Sequence, residues 1–199
     1  LNYLRADSCD VLLIQETNMQ DVNFPADLYG EIGWNVIFHG QKSYNGVAIA
    51  SRLPIEDPLS GLPGDDEDEQ ARYMEATVGG VRVATIYLPN GNPAPSPKFD
   101  YKIAWMARLR ARATELLASE MPVVLAGDFN VIPQDIDCYD PPGWEGDALT
   151  RAESRAEFMK LEYAGYTDAI RACHPGQVMY SYWDYQAGAW QKDNGVRID

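Results

Sequence analysis

An α/β fold is predicted by three features of the sequence. Short apolar runs end in polar groups as buried strands do, segments of helical apolar periodicity lie between them, and Gly79-Gly80 joins two strand patterns as a hairpin. The hairpin means that the sheet is not purely parallel. No repeat, low-complexity tract or linker divides the chain, so residues 1–199 read as one domain.

Element by element, the amino-terminal end reads as the tail of a helix. Asp10-Val11-Leu12-Leu13-Ile14 follows as a buried strand that delivers Gln15 and Glu16 at its end. Gly46-Val47-Ala48-Ile49-Ala50 is a second strand, and residues 72–78 and 81–87 form the two arms of the hairpin. A Pro- and Asn-rich loop over 89–95 precedes a helix from Tyr101 to Glu120, with Ile103, Met106, Leu109, Ala113, Leu116 and Leu117 on one face. Pro122-Val123-Val124-Leu125-Ala126 is a strand running into Gly127-Asp128-Phe129-Asn130. Strand alternation puts Asp128 and Asn130 on one side, and Gly127 allows a close approach. Thr150-Arg151-Ala152-Glu153 is a capping-box pattern opening a helix that buries Phe158 and Leu161 and stops at Gly165. Arg197-Ile198-Asp199 is a last alternating segment.

At 199 residues with 46% hydrophobic content, the chain can bury a sizeable core. No stretch approaches a membrane span and no signal peptide is visible, so no membrane partner is expected. Cys9, Cys138 and Cys173 lack CxxC spacing, which favours reduced thiols and a cytoplasmic location over disulfides or zinc. The net charge of −14 argues against broad attraction to nucleic acid but not against local binding, since a divalent cation adds positive charge that composition does not count. The acidic run at residues 65–69 reads as a solvated loop. Arg108, Arg110 and Arg112 read as a solvated helix face, His39 and His174 as structural or surface residues, and the aromatics of residues 180–190 as core and rim packing.

Several strand ends carry chemistry: Glu16, Tyr87 with Asn90, Asp128 with Asn130, and Asp199. Ligands of open sheets bind outside the carboxyl ends of strands, so these groups are expected to share a site. Glu16 is a hard oxygen ligand suited to Mg²⁺ or Mn²⁺. Asp128 suits proton acceptance from water, while Asn90, Asn130 and the Tyr87 hydroxyl suit hydrogen bonding to phosphate oxygens. The chemistry indicated is metal-assisted phosphodiester hydrolysis. Neither a GxxxxGK[ST] loop nor a GxSxG elbow is present, and a serine or cysteine triad has no support.

Residues 10–17 (DVLLIQET), 44–49 (YNGVAI), 87–91 (YLPNG), 127–131 (GDFNV) and 194–199 (NGVRID) resemble, in order and rough spacing, bacterial exonuclease III. The likeness extends to the abasic-site endonucleases of the endonuclease, exonuclease and phosphatase superfamily and covers nearly the whole chain. It implies a four-layer sandwich of two packed mixed β-sheets flanked by helices. The implied activities are divalent-metal cleavage of duplex DNA at abasic sites and removal of nucleotides from 3′ ends. By matched position, Glu16, Asp128 and Asn130 serve the metal, Asp128 activates water, Asn130 donates to the transition state, and Tyr87 and Asn90 contact the scissile phosphate. Asp199 matches the carboxylate that orients a catalytic histidine. The family's TWN-like first strand and its SDH segment have no counterpart here, so the sequence reads as an internal part of the domain, lacking its first and last strands.

Tyr44 matches a family position on a loop that touches DNA and Lys42 beside it suits a phosphate, with a plain strand-start role as the alternative, while Tyr182, Trp183, Val196 and Ile198 look like the apolar pocket for an extruded abasic sugar. A monomer is expected. Two other readings remain: a phosphatase or phospholipid phosphodiesterase of the same superfamily, and a non-catalytic DNA-binding relative. The Tyr44-Asn45-Gly46 and 87–91 contexts favour the nuclease.

Overall fold

The computed structural model describes residues 2–5 and 9–199, so the reading of residues 1 and 6–8 as helix lies outside the described residues. The first of two compact units holds the chain up to Tyr87 together with Glu115–Asp128; the second holds Leu88–Thr114 and Phe129–Asp199.

Two sheets build the first unit. Strands β1 (Val11–Gln15), β2 (Asn35–His39) and β3 (Val47–Ser51) pair antiparallel in the order β1-β3-β2. The second sheet, in the order β4-β5-β6-β7, contains β4 (Ile55–Ser60), β5 (Tyr73–Val78), β6 (Val81–Tyr87) and β7 (Val123–Asp128). The β5–β6 hairpin turns at Gly79 and Gly80, both at positive φ as a tight primed turn requires. β6 and β7 run parallel, which makes this sheet mixed. The sheets meet through Val47, Ile49, Met74, Ala76, Val78 and Val83, all buried, with Val11, Leu13, Ile37 and Ile55 packed against them. Every second residue of β5 therefore faces the other sheet, as strand periodicity dictates. On the other face of β5, the fully buried Glu75 accepts from the Tyr73 hydroxyl and pairs with Arg82 at 2.6 Å. A short helix, α1 (Asn2–Arg5), and a second, α2 (Ala26–Gly30), belong to this unit, where Leu4, Trp34 and Ala50 form a further cluster with Tyr29 and Ile32.

The long helix α3 (Pro97–Ala118) begins in the second unit and ends in the first. It starts earlier than its apolar periodicity indicates, and of the expected face Met106, Leu109, Ala113 and Leu116 are buried, with Trp105 beside them. The second unit continues with α4 (Ala152–Ala164), α5 (Ala169–Cys173), α6 (Ala189–Lys192) and a two-residue hairpin of β8 (Tyr182–Trp183) and β9 (Gly195–Val196). Its core gathers Phe99, Ile132, Cys138, Ala148, Leu149, Val196 and Ile198. A buried charge network secures the last segment: Arg197 binds Asp137 at 2.8 and 3.1 Å and Asp168 at 2.8 Å, and Arg171 adds a bond to Asp137 at 2.6 Å.

Three expectations are corrected. Arg151, not Thr150, is the N-cap of α4, and it makes no side-chain cap bond. The Thr150 hydroxyl donates instead to the carbonyls of Trp144 and Asp147, so it is spent on the preceding turn. The three arginines of α3 are half-buried rather than a free solvated face, and Arg110 contacts the buried Glu157 at 3.5 Å. Finally, β7 stops at Asp128 and Asn130 has φ of 47°, so strand alternation does not reach Asn130. The acidic run at 65–69 is a surface loop, as expected, that caps itself through Asp65 and Asp68.

Gly127 is where the sheet is least tolerant. It has φ of 133°, and an added Cβ would collide with the Ile86 carbonyl of the neighbouring strand and lie 2.9 Å from Gln15 Nε2. Backbone, not ligand, is what approaches it. Gly127→Ala is therefore expected to cost about 2–4 kcal/mol through strain and a displaced parallel ladder, read as a lower urea midpoint. Unchanged stability would contradict this packing.

Candidate active-site residues

In the first unit, three of the candidate side chains come together at strand ends. Tyr87 and Asp128 are register partners at the carboxyl ends of parallel β6 and β7, so they finish level. Glu16 follows β1 directly, in the left-handed conformation (φ 56°) that non-glycine residues seldom take. The adjoining chain is fixed by Thr17 N–H to Gly46 O at 3.2 Å and Asn18 N–H to Asn45 O at 2.9 Å. Gln15, the last residue of β1, donates to Thr85 Oγ1 of β6 at 2.8 Å, fastening the two sheets beside Glu16.

The electrostatics of Tyr87 report this convergence. Burial pushes its phenol up to about 12, the charge of Glu16 and a hydrogen bond to that carboxylate add to the rise, and Asp128 contributes in the same direction. Arg72 opposes them. Its guanidinium carbon lies 4.9 Å from the Tyr87 ring centroid and its Nη1 donates to the Tyr87 carbonyl at 3.2 Å. Lys42 and Tyr44 are exposed on the loop before β3, while Asn45 next to them is buried.

In the second unit, Asn90 and Asn130 form a pair. Asn90 Nδ2 donates to Asn130 Oδ1 at 3.0 Å, and Asn130 Nδ2 donates to the Leu88 carbonyl at 2.9 Å. Beneath them lies Lys102 of α3, fully buried, whose ammonium donates to the backbone carbonyls of Asn90 at 3.0 Å and Asn130 at 2.5 Å. One buried cation thus ties both asparagine loops together. The sequence reading missed it because a lysine on an amphipathic helix ordinarily points to water.

The remaining expected residues divide. Tyr182 and Trp183 line an open cavity of about 520 Å³ with Tyr185 and Trp190, and Trp183 donates to Asp193 Oδ1 at 3.1 Å. Val196 pairs with Tyr182 across the hairpin, yet Val196 and Ile198 are buried in the core of the unit rather than in an open pocket wall. Ile198 also accepts from the Phe129 N–H at 2.8 Å, which ties the segment holding Asp199 to residues just after β7. Asp199 is exposed as a residue, but protein crowded around its carboxyl raises its pKa, offset in part by a bond from Ser181. His39 ends β2 opposite Val47, and His174 closes α5, so both have structural places.

Among the described residues no group of three His, Cys, Asp or Glu side chains forms a metal nest. The oxygen donors of Glu16 and Asp128 nevertheless suit a hard divalent ion that keeps most of its waters, and two carboxylates acting on one phenol leave negative charge for such an ion to offset.

A raised phenol pKa favours the neutral, hydrogen-bond-donating form. The associated stability is complete below the ordinary value of 10 and is lost as pH rises toward about 12. In a ¹³C tyrosine NMR titration assigned with Tyr87→Phe, Tyr87 is expected to titrate near 12, and Glu16→Gln to bring it down toward 10. Because burial is the largest cause of the rise, it is an unchanged midpoint in Glu16→Gln that would contradict the contact with Glu16.

The chain is 31% identical over 202 residues to an exodeoxyribonuclease of Bacillus subtilis, covering all of this chain and 78% of that one. It matches a solved Neisseria 3′ phosphatase bound to product DNA hairpin with a TM-score of 0.96 and 39% identity, covering 100% of this chain and 77% of that one. An AP endonuclease from Archaeoglobus fulgidus matches with a TM-score of 0.95 and 33% identity, again over 100% and 77%. These structures share the α/β fold of packed sheets flanked by helices that the sequence predicts. Among the described residues no helix is long and apolar enough to cross a membrane. The family pattern matches residues 1–199 throughout, and the chain belongs to the Endonuclease/Exonuclease/phosphatase family.

Proposed function

We propose that this protein is a divalent-metal-dependent DNA repair nuclease, hydrolysing phosphodiesters at abasic sites and from the 3′ ends of duplex DNA. The observation that carries the reading is the Tyr87 phenol, hydrogen-bonded to Glu16 and level with Asp128 at the ends of two parallel strands. A neutral donor beside two carboxylates suits a phosphate, a water and a cation. The relatives named exodeoxyribonuclease and AP endonuclease support DNA as the substrate.

Glu16 and Asp128 would hold Mg²⁺ or Mn²⁺. When bound, the ion supplies charge neutralisation at the phosphate and lowers the pKa of water. Asp128 takes the proton of the attacking water on a carboxylate oxygen. Tyr87, kept neutral by its raised pKa, has one hydroxyl proton, which it would turn from the Glu16 carboxylate to a phosphate oxygen when DNA binds. Asn90 has one amide N–H engaged by Asn130 and a second to offer phosphate. Lys42 and Tyr44 are assigned to the DNA backbone, Tyr182 and Trp183 to the nucleotide beside the cleaved bond, and Asp199 to orientation of a histidine. The free thiols Cys9, Cys138 and Cys173 support a cytoplasmic setting.

A 3′ phosphatase activity is the second reading, favoured by the likeness to the Neisseria 3′ phosphatase. In the full-length protein, EDTA is expected to abolish cleavage of an abasic duplex and Mg²⁺ or Mn²⁺ to restore it. Asp128→Asn is expected to lower the rate by about 10²–10⁴-fold. Unchanged turnover in Asp128→Asn would sink the nuclease assignment, and release of phosphate from a 3′-phosphorylated duplex without cleavage of the abasic one would favour the second reading.

A further inference from the structure

Arg72 stands immediately before β5 and grips Tyr87 from several directions. Its carbonyl accepts from the Tyr87 N–H at 2.8 Å, its Nη1 donates to the Tyr87 carbonyl at 3.2 Å, and its guanidinium lies over the ring at 4.9 Å. Its Nε is fixed in turn by Gln70 Oε1 at 2.7 Å. The phenol is thus held at its face by Arg72 and at its tip by Glu16.

Gln70 is itself anchored. Its Oε1 also accepts from the buried Asn45 Nδ2 at 3.3 Å, which donates to Gln41 Oε1 at 3.0 Å; the same Gln41 oxygen accepts the Ala71 N–H at 2.7 Å. Gly46 N–H to Ala71 O at 2.8 Å closes the arrangement. Residues 41–46, which carry Lys42 and Tyr44, are therefore tied through Gln70 to the guanidinium that lies on Tyr87.

We propose that Arg72, anchored by Gln70, is a positioning residue that aims the Tyr87 hydroxyl at the scissile phosphate. The inference rests on the nuclease reading of Tyr87. A planar fork can stack on a ring and bond two fixed acceptors at once, which a lysine ammonium cannot do. Arg72 also opposes the two carboxylates that act on the phenol. A phosphate contact through a single N–H would need only the charge, and Lys would supply that.

The test is steady-state cleavage of an abasic duplex in Mg²⁺ by full-length wild type, Arg72→Lys, Arg72→Met and Gln70→Leu, with melting temperatures measured alongside. Both Arg72 variants are expected to lose kcat by about tenfold to a hundredfold, as a misplaced group does, with KM little changed. Gln70→Leu is expected to show a smaller loss in the same sense. In ¹³C tyrosine spectra, both Arg72→Lys and Arg72→Met are expected to shift the Tyr87 ring resonance, because the guanidinium that lies over the ring is lost. Wild-type kcat in Arg72→Lys, or a raised KM with unchanged kcat, would overturn the proposal in favour of a charge contact. Should Arg72→Met fail to fold, Arg72→Lys and Gln70→Leu decide the matter. If wild type cleaves neither abasic duplexes nor 3′ ends, the nuclease reading fails instead; an unmoved Tyr87 resonance in Arg72→Lys would then refute the positioning contact on its own.

Discussion

The parallel pairing of β6 with β7 governs where the chemistry stands. It is a backbone constraint: Gly127 lies so close to the Ile86 carbonyl that no side chain fits, and this contact holds the ladder in the register that sets Tyr87 opposite Asp128. A phenol and a carboxylate at level strand ends require only that both strands stop together. Chain connectivity follows the same line, since Tyr87 and Asp128 are the last residues of the first unit at each of its exits.

Around that pair, charge is managed differently in the two units. In the first, burial and then the charges of Glu16 and Asp128 raise the pKa of Tyr87, with Arg72 as the local counterweight. In the second, a buried ammonium organises neutral amides: Lys102 spends two of its protons on backbone carbonyls of Asn90 and Asn130. Burying a cation is costly unless its donors are satisfied, and carbonyl oxygens at 2.5 and 3.0 Å do that here. The asparagine pair gains fixed backbones from an interaction that leaves the side-chain amides to each other.

The strand ends were legible because each is written locally, as an apolar run followed by polar residues. β1, β3, β5, β6 and β7 all lie within a residue or two of where that pattern places them. β4 was not legible: Pro58 and the acidic pair before it hide a strand whose register shifts between Glu56 and Leu59, the kind of irregularity an edge strand tolerates. Motif spacing likewise singled out Glu16, Tyr87, Asp128 and the asparagines as candidates, of which the structure brings Tyr87 together with Glu16 and Asp128 in the first unit and pairs Asn90 with Asn130 in the second. Spacing gave no hint of Arg72 or Lys102, whose roles depend on partners brought near by tertiary structure. The resemblance placed Val196 and Ile198 in a pocket wall, yet they belong to a core, because a motif match does not tell a pocket wall from packed interior.

Glu75 has a consequence for how the chain reaches this arrangement. Its carboxylate is satisfied by Tyr73 and Arg82 on one face of β5, whereas Met74, Ala76 and Val78 fill the dry seam on the other. Slipping β5 by a single residue would exchange the faces and force an ionised group among hydrocarbons with no counter-charge. Misaligned hairpins are thereby disfavoured, and since β6 takes its alignment from β5, the burial of Glu75 guards the pairing that brings Tyr87 level with Asp128.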